Sequence, residues 1–498
     1  MFRVLGSKKQ LCDGVTRRDM LQAGGLSMFG LGLSSLLESE QAQASVVSGS
    51  FGTAKRCIIL YLYGAPSQLE TFDMKPAAPV EIRGTMKPIS SSLPGLDVCE
   101  HLPETAQIMD KVTVLRSLTH QYPIHGIANA MTGVPIIDVG MELSPNDPRH
   151  YPYIGSAIEY YDRKSRGGKL DPFPQNVALP FPLSTQRVGE VRRAGPYASF
   201  LGSAFNPIWT EYDGTGTTSV YKTLGDKKID CFDPYVGCSD DSHFRLSTTS
   251  KLPQLTTDRL NRRKTLLQQF DASRKDLENS DMGRSLSTFQ EMAYSLISSN
   301  KVSNALDVRK EAAETRDLYG KTLFGQACLA GRRMLEAGTR LVSVFWDEYG
   351  LAGDAWDTHW NHYDRMQNQL LPGFDKGYAG LIRDLEQRGM LDDTLVVCIS
   401  EHGRTPKLST GRGGGRGHWS RAYSALFAGG GITRGNVVGS TDDQAGEVTS
   451  RPADPKDAQA TIYHLLGIDP HSTLYNPRDN RTVNLVPDET RVIEEMLA

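Results

Sequence analysis

Thr394-Leu395-Val396-Val397-Cys398-Ile399-Ser400-Glu401-His402-Gly403-Arg404-Thr405-Pro406 runs apolar for six residues and then turns abruptly to carboxylate, imidazole and guanidinium. A short apolar run without alternation reads as a strand covered on both faces, the signature of a parallel sheet flanked by helices. In such sheets ligands collect beyond the carboxyl ends of the strands, where Glu401, His402 and Arg404 fall. Working outward, Cys57-Ile58-Ile59-Leu60-Tyr61-Leu62-Tyr63, Val112-Thr113-Val114-Leu115, Leu341-Val342-Ser343-Val344-Phe345 and Tyr423-Ser424-Ala425-Leu426-Phe427-Ala428 read the same way. Helical periodicity lies between them. Leu318, Leu323, Phe324, Ala327, Met334 and Leu335 precede a capping Gly338. Phe374, Tyr378, Leu381, Ile382 and Leu385 form one face that stops at Gly389. The last helix starts with Asp454 as N-cap and Pro455 at its first position, and ends at Gly467. Helix alternating with buried strand predicts an α/β fold, a three-layer α/β/α sandwich around a mostly parallel sheet.

The 498 residues carry a net charge of −3, and 39% are hydrophobic. That is ordinary for a globular chain and supplies no positive field, so nucleic acid is not an expected partner. Gly and Pro together make up about 15% of the chain against the usual ~12%, so loops are plentiful. Residues 1–44 read as an export signal. Thr16-Arg17-Arg18-Asp19-Met20-Leu21 resembles a twin-arginine motif, a weakly apolar stretch follows, and Ala42-Gln43-Ala44 fits a small-x-small cleavage site. The apolar stretch is shorter than the ~20 residues that span a bilayer, so no stable membrane span is expected after cleavage. The reading is therefore an exported protein, periplasmic or extracellular. Residues 45–498 are expected to form a single large domain with a loop-rich and helical insertion at about 133–335. Of the seven cysteines, Cys231 and Cys238 are close enough in sequence to bridge, whereas Cys57 and Cys398 sit in strand-like runs as buried thiols.

The chemistry clusters beside the strands. Asp357-Thr358-His359-Trp360-Asn361-His362 follows the strand at 341–345. A Gly-rich loop, Gly413-Gly414-Gly415-Arg416-Gly417-His418, precedes the strand at 423–428. Glu70 and Asp73 follow the first strand, and His120 and His125 follow the second. Mixed imidazole and carboxylate ligation suits a divalent ion, which acidifies bound water and polarises an ester oxygen. Asp357, His359, Glu401, His402 and His418 are the expected ligands, with Asp73 as a further candidate. Arg404, with Arg416 as a second candidate, is expected to clamp an oxyanion, and His125 or His120 to act as acid or base. His464, on the apolar face of the last helix, reads as core.

The same residues carry a family resemblance over about residues 55–485. The stretches are Gly64-Ala65-Pro66-Ser67-Gln68 with Thr71-Phe72-Asp73, Tyr319-Gly320 to Gly325-Gln326-Ala327-Cys328, Trp356-Asp357-Thr358-His359, Ser400 to Pro406, Gly417-His418-Trp419, and Ala460 to Ile468. They resemble the "domain of unknown function 1501" family, which is similar to sulfatases and alkaline-phosphatase-like metal hydrolases. The resemblance implies an alkaline-phosphatase-like sandwich and a divalent metal ion, Zn, Mg or Ca. It also implies a small-molecule or polysaccharide ester of phosphate or sulfate as substrate. Glu401-His402 resembles the superfamily's Asp-His pair, and His418 resembles its last histidine ligand. The chain departs from the pattern in three places. Asn361 stands where a histidine is expected four residues after Asp357, with His359 and His362 as the neighbouring imidazoles, and Ala65 stands where an Asp follows the first strand. Pro123 stands nine residues before Thr132-Gly133, where sulfatases carry a nucleophile. A metal-activated water is the expected attacking group, and a non-catalytic oxyanion- or carbohydrate-binding protein on a degenerate fold is the alternative.

Overall fold

The computed structural model describes residues 49–498 except 170, 172, 189–192, 225–226, 247–299, 352 and 412. Nine strands form the central sheet: β1 (Arg56–Leu62), β2 (Val112–Leu118), β3 (Asn176–Leu179), β4 (Ile208–Asp213), β5 (His243–Leu246), β6 (Leu341–Trp346), β7 (Thr394–Ile399), β8 (Tyr423–Ala428) and β9 (Asn436–Val438). Their spatial order is β5-β4-β3-β6-β1-β7-β8-β2-β9. β8 runs antiparallel to both neighbours, β7 and β2, and β5 runs antiparallel to β4. The other pairings are parallel. β1 lies in the middle, with Cys57 to Leu60 fully or almost fully buried. Burying each such aliphatic side chain contributes about 1.5–3 kcal/mol relative to exposure.

The principal helices are α1 (Ile127–Thr132), α2 (Ile154–Ser165), α3 (Leu323–Ala337), α4 (Leu371–Gln387) and α5 (Pro455–Leu465). Side chains alternate across the sheet, so neighbouring residues meet different layers. Ile58, Val342 and Val344 lie against Gly331 of α3, while Ser343 meets Tyr153 at the start of α2. Helices therefore cover both faces, and the fold is the expected three-layer sandwich. α5 begins as expected, with Asp454 as N-cap, Pro455 at its first position and a reciprocal capping box with Asp457. His464 is buried.

Residues 52–498 form one unit and 1–51 another. The expected signal at 1–44 and residues 247–299 of the expected insertion lie outside the described residues. Among the described residues no helix is long and apolar enough to cross a membrane. The stretch read as an insertion supplies β3, β4 and β5, so it is built into the sheet. The periodicity from Leu318 to Leu335 is broken: Gly320 takes a φ of 77°, and Thr322 caps a new helix. The expected Cys231–Cys238 bridge is also corrected, since both thiols are free. Cys231 sits in a hairpin strand with its sulfur facing Gly350, whereas the Cys238 amide donates to Lys321. Cys57 and Cys398 are buried free thiols, as read.

Candidate functional site

The reversed direction of β8 assembles the site. Because β8 is antiparallel to β7 and β2, its start lies at the sheet edge where β1, β2, β6 and β7 end. His418, which precedes β8, therefore meets Glu401 and His402 after β7, Asp357 and His359 after β6, and His125 after β2. Two glycines allow the loops to close. A Cβ on Gly64 would lie 2.3 Å from the Asp357 nitrogen, and one on Gly415 would lie 1.7 Å from the His359 carbonyl oxygen. Backbone bonds join the same loops, from Trp356 to Tyr63 and from Arg416 to Thr358. A two-stranded ribbon, Gly403–Arg404 with His418–Trp419, closes the fourth side.

Two groups of side chains converge with their ligand atoms within 4.8 Å: His125, His402 and His418, and Asp357, His359 and His418. In the second group, His359 Nε2 is 3.0 Å from His418 Nε2 and 3.0 Å from Asp357 Oδ1, and His418 Nε2 is 3.4 Å from Asp357 Oδ1. Bond lengths of ~2.0–2.1 Å in a tetrahedral shell put ligand atoms about 3.3 Å apart. The set therefore fits a divalent ion. The outer nitrogens support the fit. His418 Nδ1 donates to the Pro123 carbonyl (3.1 Å), His402 Nδ1 to the Gly403 carbonyl (2.8 Å), and His125 Nδ1 to Glu401 Oε1 (3.1 Å). His402 and His418 thus hold their ring proton outward and turn a lone pair to Nε2. His402 Nε2 is buried and has no hydrogen-bond partner.

Electrostatics keep the cluster ready for a cation. Burial alone would raise the Asp357 carboxyl, but Arg404 and His125 hold it well below its ordinary value. Burial, with His418 nearby, pulls His402 down, and burial also lowers His418, so both stay neutral. Burial would lower His125 too, but Asp357 and then Glu401 outweigh it and push it up to about 9.

A family match accompanies this geometry. Residues 54–497 match the family described as "Protein of unknown function (DUF1501)". The chain belongs to that family. No curated protein matches it. Among solved structures it is similar to PsFucS1 sulfatase from Pseudoalteromonas sp. (12% identity, 86% of this chain and 72% of that one, TM-score 0.35). It is also similar to the phosphonate monoester hydrolase SpPMH from Silicibacter pomeroyi (11% identity, 89% and 76%, TM-score 0.33). A third is Ps i-CgsB in complex with k-i-k-neocarrahexaose (12% identity, 83% and 72%, TM-score 0.35).

In this DUF1501 protein three expected roles change. Glu401 stands behind His125 and outside both ligand groups. Its oxygens accept from the Gly64 amide (2.8 Å) and the Tyr61 hydroxyl (2.9 Å), besides His125 and the Ser400 hydroxyl. These donors keep it ionised and turned inward. Arg404 is fully buried and is not free for an oxyanion. It donates to Ala65 O (3.0 Å), Arg416 O (3.1 Å), Gly64 O and Asp357 Oδ1 (2.6 Å), so it clamps the Asp357 carboxylate. Asp73 is not brought to the cluster. Lys75 (3.1 Å), Arg116 (3.4 Å) and the Thr441 hydroxyl hold it.

After Asp357 the chain turns at Asn361, whose φ is 49°. His359 points to the cluster, while His362 is buried 3.3 Å from Glu70 Oε2. Glu70 in turn pairs with Arg416 through both oxygens. This buried strut anchors the Gly-rich loop that carries His418, and it commits Arg416, which the sequence offered beside Arg404 as an oxyanion clamp, to Glu70 instead. His120 has a structural role, since its Nε2 donates to the Glu401 carbonyl (2.8 Å) and its Nδ1 accepts from the Tyr122 amide.

Proposed function

We propose that this protein is an exported, metal-dependent hydrolase of phosphate or sulfate esters. The observation that carries the reading is the convergence of Asp357, His359 and His418 at 3.0–3.4 Å, with the outer nitrogen of His418 anchored on the Pro123 carbonyl. These three would hold the ion, with the unpartnered His402 Nε2 beside them. A bound divalent ion would supply a polarised ester oxygen and an acidified water. Arg404 fixes Asp357 in the ligand position. Glu401 fixes the ring plane of His125, whose Nε2 lies 3.5 Å from Asp357 Oδ2 and is placed to give or take a proton at the ester. Partial exposure of the His359 and His418 side chains leaves one open side for substrate. The twin-arginine-like run at Thr16–Leu21 supports export to the periplasm or beyond, and the substrate class is a small-molecule or polysaccharide ester.

The test is turnover of nitrophenyl phosphate and nitrophenyl sulfate by purified mature protein loaded with Zn²⁺, Mg²⁺ or Ca²⁺. Turnover should vanish on chelation, return with metal and be absent in His418→Ala. Turnover that survives both chelation and the substitution would overturn the reading. A second reading, a non-catalytic oxyanion- or carbohydrate-binding protein, is favoured by two features: Ala65 follows β1 where a carboxylate is expected, and Asp73 is committed elsewhere. It predicts metal or ligand binding with no hydrolysis across an ester panel.

A further inference from the structure

A cleft of about 870 Å³ opens beside His418, within the ~300–1,000 Å³ range of small-molecule sites. Its walls come from the segment after β2, the residues just before β8 and the chain entering α5. Asn129 of α1 lines it at 2% exposure, and its Oδ1 is buried with no hydrogen-bond partner. A buried amide oxygen without a donor costs about 1–3 kcal/mol. A ligand hydroxyl would recover it.

The lining argues against an anion. It contains one guanidinium, Arg421, against the carboxylates Glu447, Asp454 and Asp457. Arg421 is already paired with Glu447 at 2.5 Å and lies over the Trp419 ring. The N-terminus of α5 would attract an anion if bare. It is closed by its own capping box: Asp454 accepts from the Lys456 amide and Asp457 from the Asp454 amide. Trp419 and Tyr122 add aromatic surface of the kind that packs on the C–H face of a sugar ring.

We propose that this cleft binds the alcohol half of the ester and selects a hydroxyl-rich, uncharged saccharide over a polyanionic chain. The assignment to the alcohol half rests on the hydrolase reading, because His418 belongs to both the cleft and the ligand set. Acceptor-rich walls require donors from the ligand, and uncharged hydroxyls supply them without repulsion from the carboxylates.

The test is binding of the full mature protein to arrayed neutral glycans and to glycans of matched size that carry uronate carboxylates, with and without Zn²⁺. Neutral glycans should bind at least about tenfold more tightly than the uronate-bearing ones, a gap of ~1.4 kcal/mol. Asn129→Leu should weaken neutral binding about tenfold at unchanged thermal stability, the worth of one buried hydrogen bond and its stranded partner. Arg421→Ala, at an exposed position, should leave neutral binding within about twofold, as expected of a surface pair. Preference for uronate-bearing glycans, binding lost with Arg421, or no glycan bound would each overturn the proposal. Neutral-glycan binding by a protein that takes up no metal would refute the hydrolase reading and leave the cleft assignment standing. Metal-dependent ester turnover without neutral-glycan binding would refute the cleft assignment alone.

Discussion

Glu401→Gln separates an orienting carboxylate from a ligand. Glu401 Oε1 receives the Gly64 amide at 2.8 Å and the His125 ring N–H at 3.1 Å, and Oε2 receives the Tyr61 hydroxyl at 2.9 Å. Glutamine has the same shape. Its amide oxygen would face Gly64 and His125, whose N–H groups cannot rotate away. Its NH₂ would face Tyr61 and Ser400, whose hydroxyls can rotate to accept, Ser400 already having the Leu62 carbonyl within 2.7 Å. Two charge-assisted bonds become neutral ones, at about 1 kcal/mol each, so stability should fall by roughly 2 kcal/mol. His125 would lose its charged anchor while Asp357, His359 and His418 stay in place. His125 also converges with His402 and His418, and loss of the outer partner of a group that joins the ion in this way costs about 10–100-fold in metal affinity, or ~1.4–2.8 kcal/mol. The assay is a Zn²⁺ competition titration against a chromophoric chelator, with a urea melt of the metal-free protein alongside. Unchanged affinity would show that Glu401 is not coupled to the ligand set. A loss as complete as that of His418→Ala would show that Glu401 is itself a ligand. Either result refutes the reasoning.

Three further outcomes are expected. Gly415→Ala drives a Cβ into the His359 carbonyl oxygen, so metal uptake should be lost at a cost of ~3 kcal/mol or more while far-ultraviolet circular dichroism stays unchanged. Arg404→Ala strands the Asp357 carboxylate and should lower stability by about 3–5 kcal/mol in urea melts; lost turnover at full stability would instead make Arg404 a substrate group. Burial alone would raise Glu70, but Arg416 and His362 hold it at about 2, below its ordinary 4.5. A lowered carboxyl stabilises fully above its unfolded value, so this contribution, about 3 kcal/mol, should be present above pH ~4.5 and disappear as pH falls toward 2. Glu70→Gln should flatten the stability profile in that window; an unchanged acid limb would contradict the buried strut.

β1, β6, β7 and β8 were legible because covering both faces of a strand leaves it continuously apolar. β4 and β5 were not. Thr210-Glu211-Tyr212-Asp213 and His243-Phe244-Arg245-Leu246 are too polar to announce themselves, and they are strands because they pair with each other at the sheet's end. β3 has four residues, too few for a pattern. The candidate site was legible as a set of strand-end residues, since chain order alone delivers Asp357, His402 and His418 to one edge once the sheet is recognised. The partner of each side chain was not. Glu401 turns inward because Tyr61 and Gly64 lie on the neighbouring strand and its loop, 337–340 residues away. The choice between His359 and His362 depends on one left-handed residue, Asn361. Asp73 looked available only because its captor Arg116 lies on another strand.

The central claim is that Asp357, His359 and His418 form a metal site. X-ray absorption on the purified mature protein, with metal quantified in the same sample, tests it most directly. The account predicts at least one bound divalent ion per chain with an imidazole and oxygen shell and no sulfur, lost in both His418→Ala and Asp357→Ala. Protein that is folded yet retains no metal, or metal that persists unchanged in both variants, would contradict it.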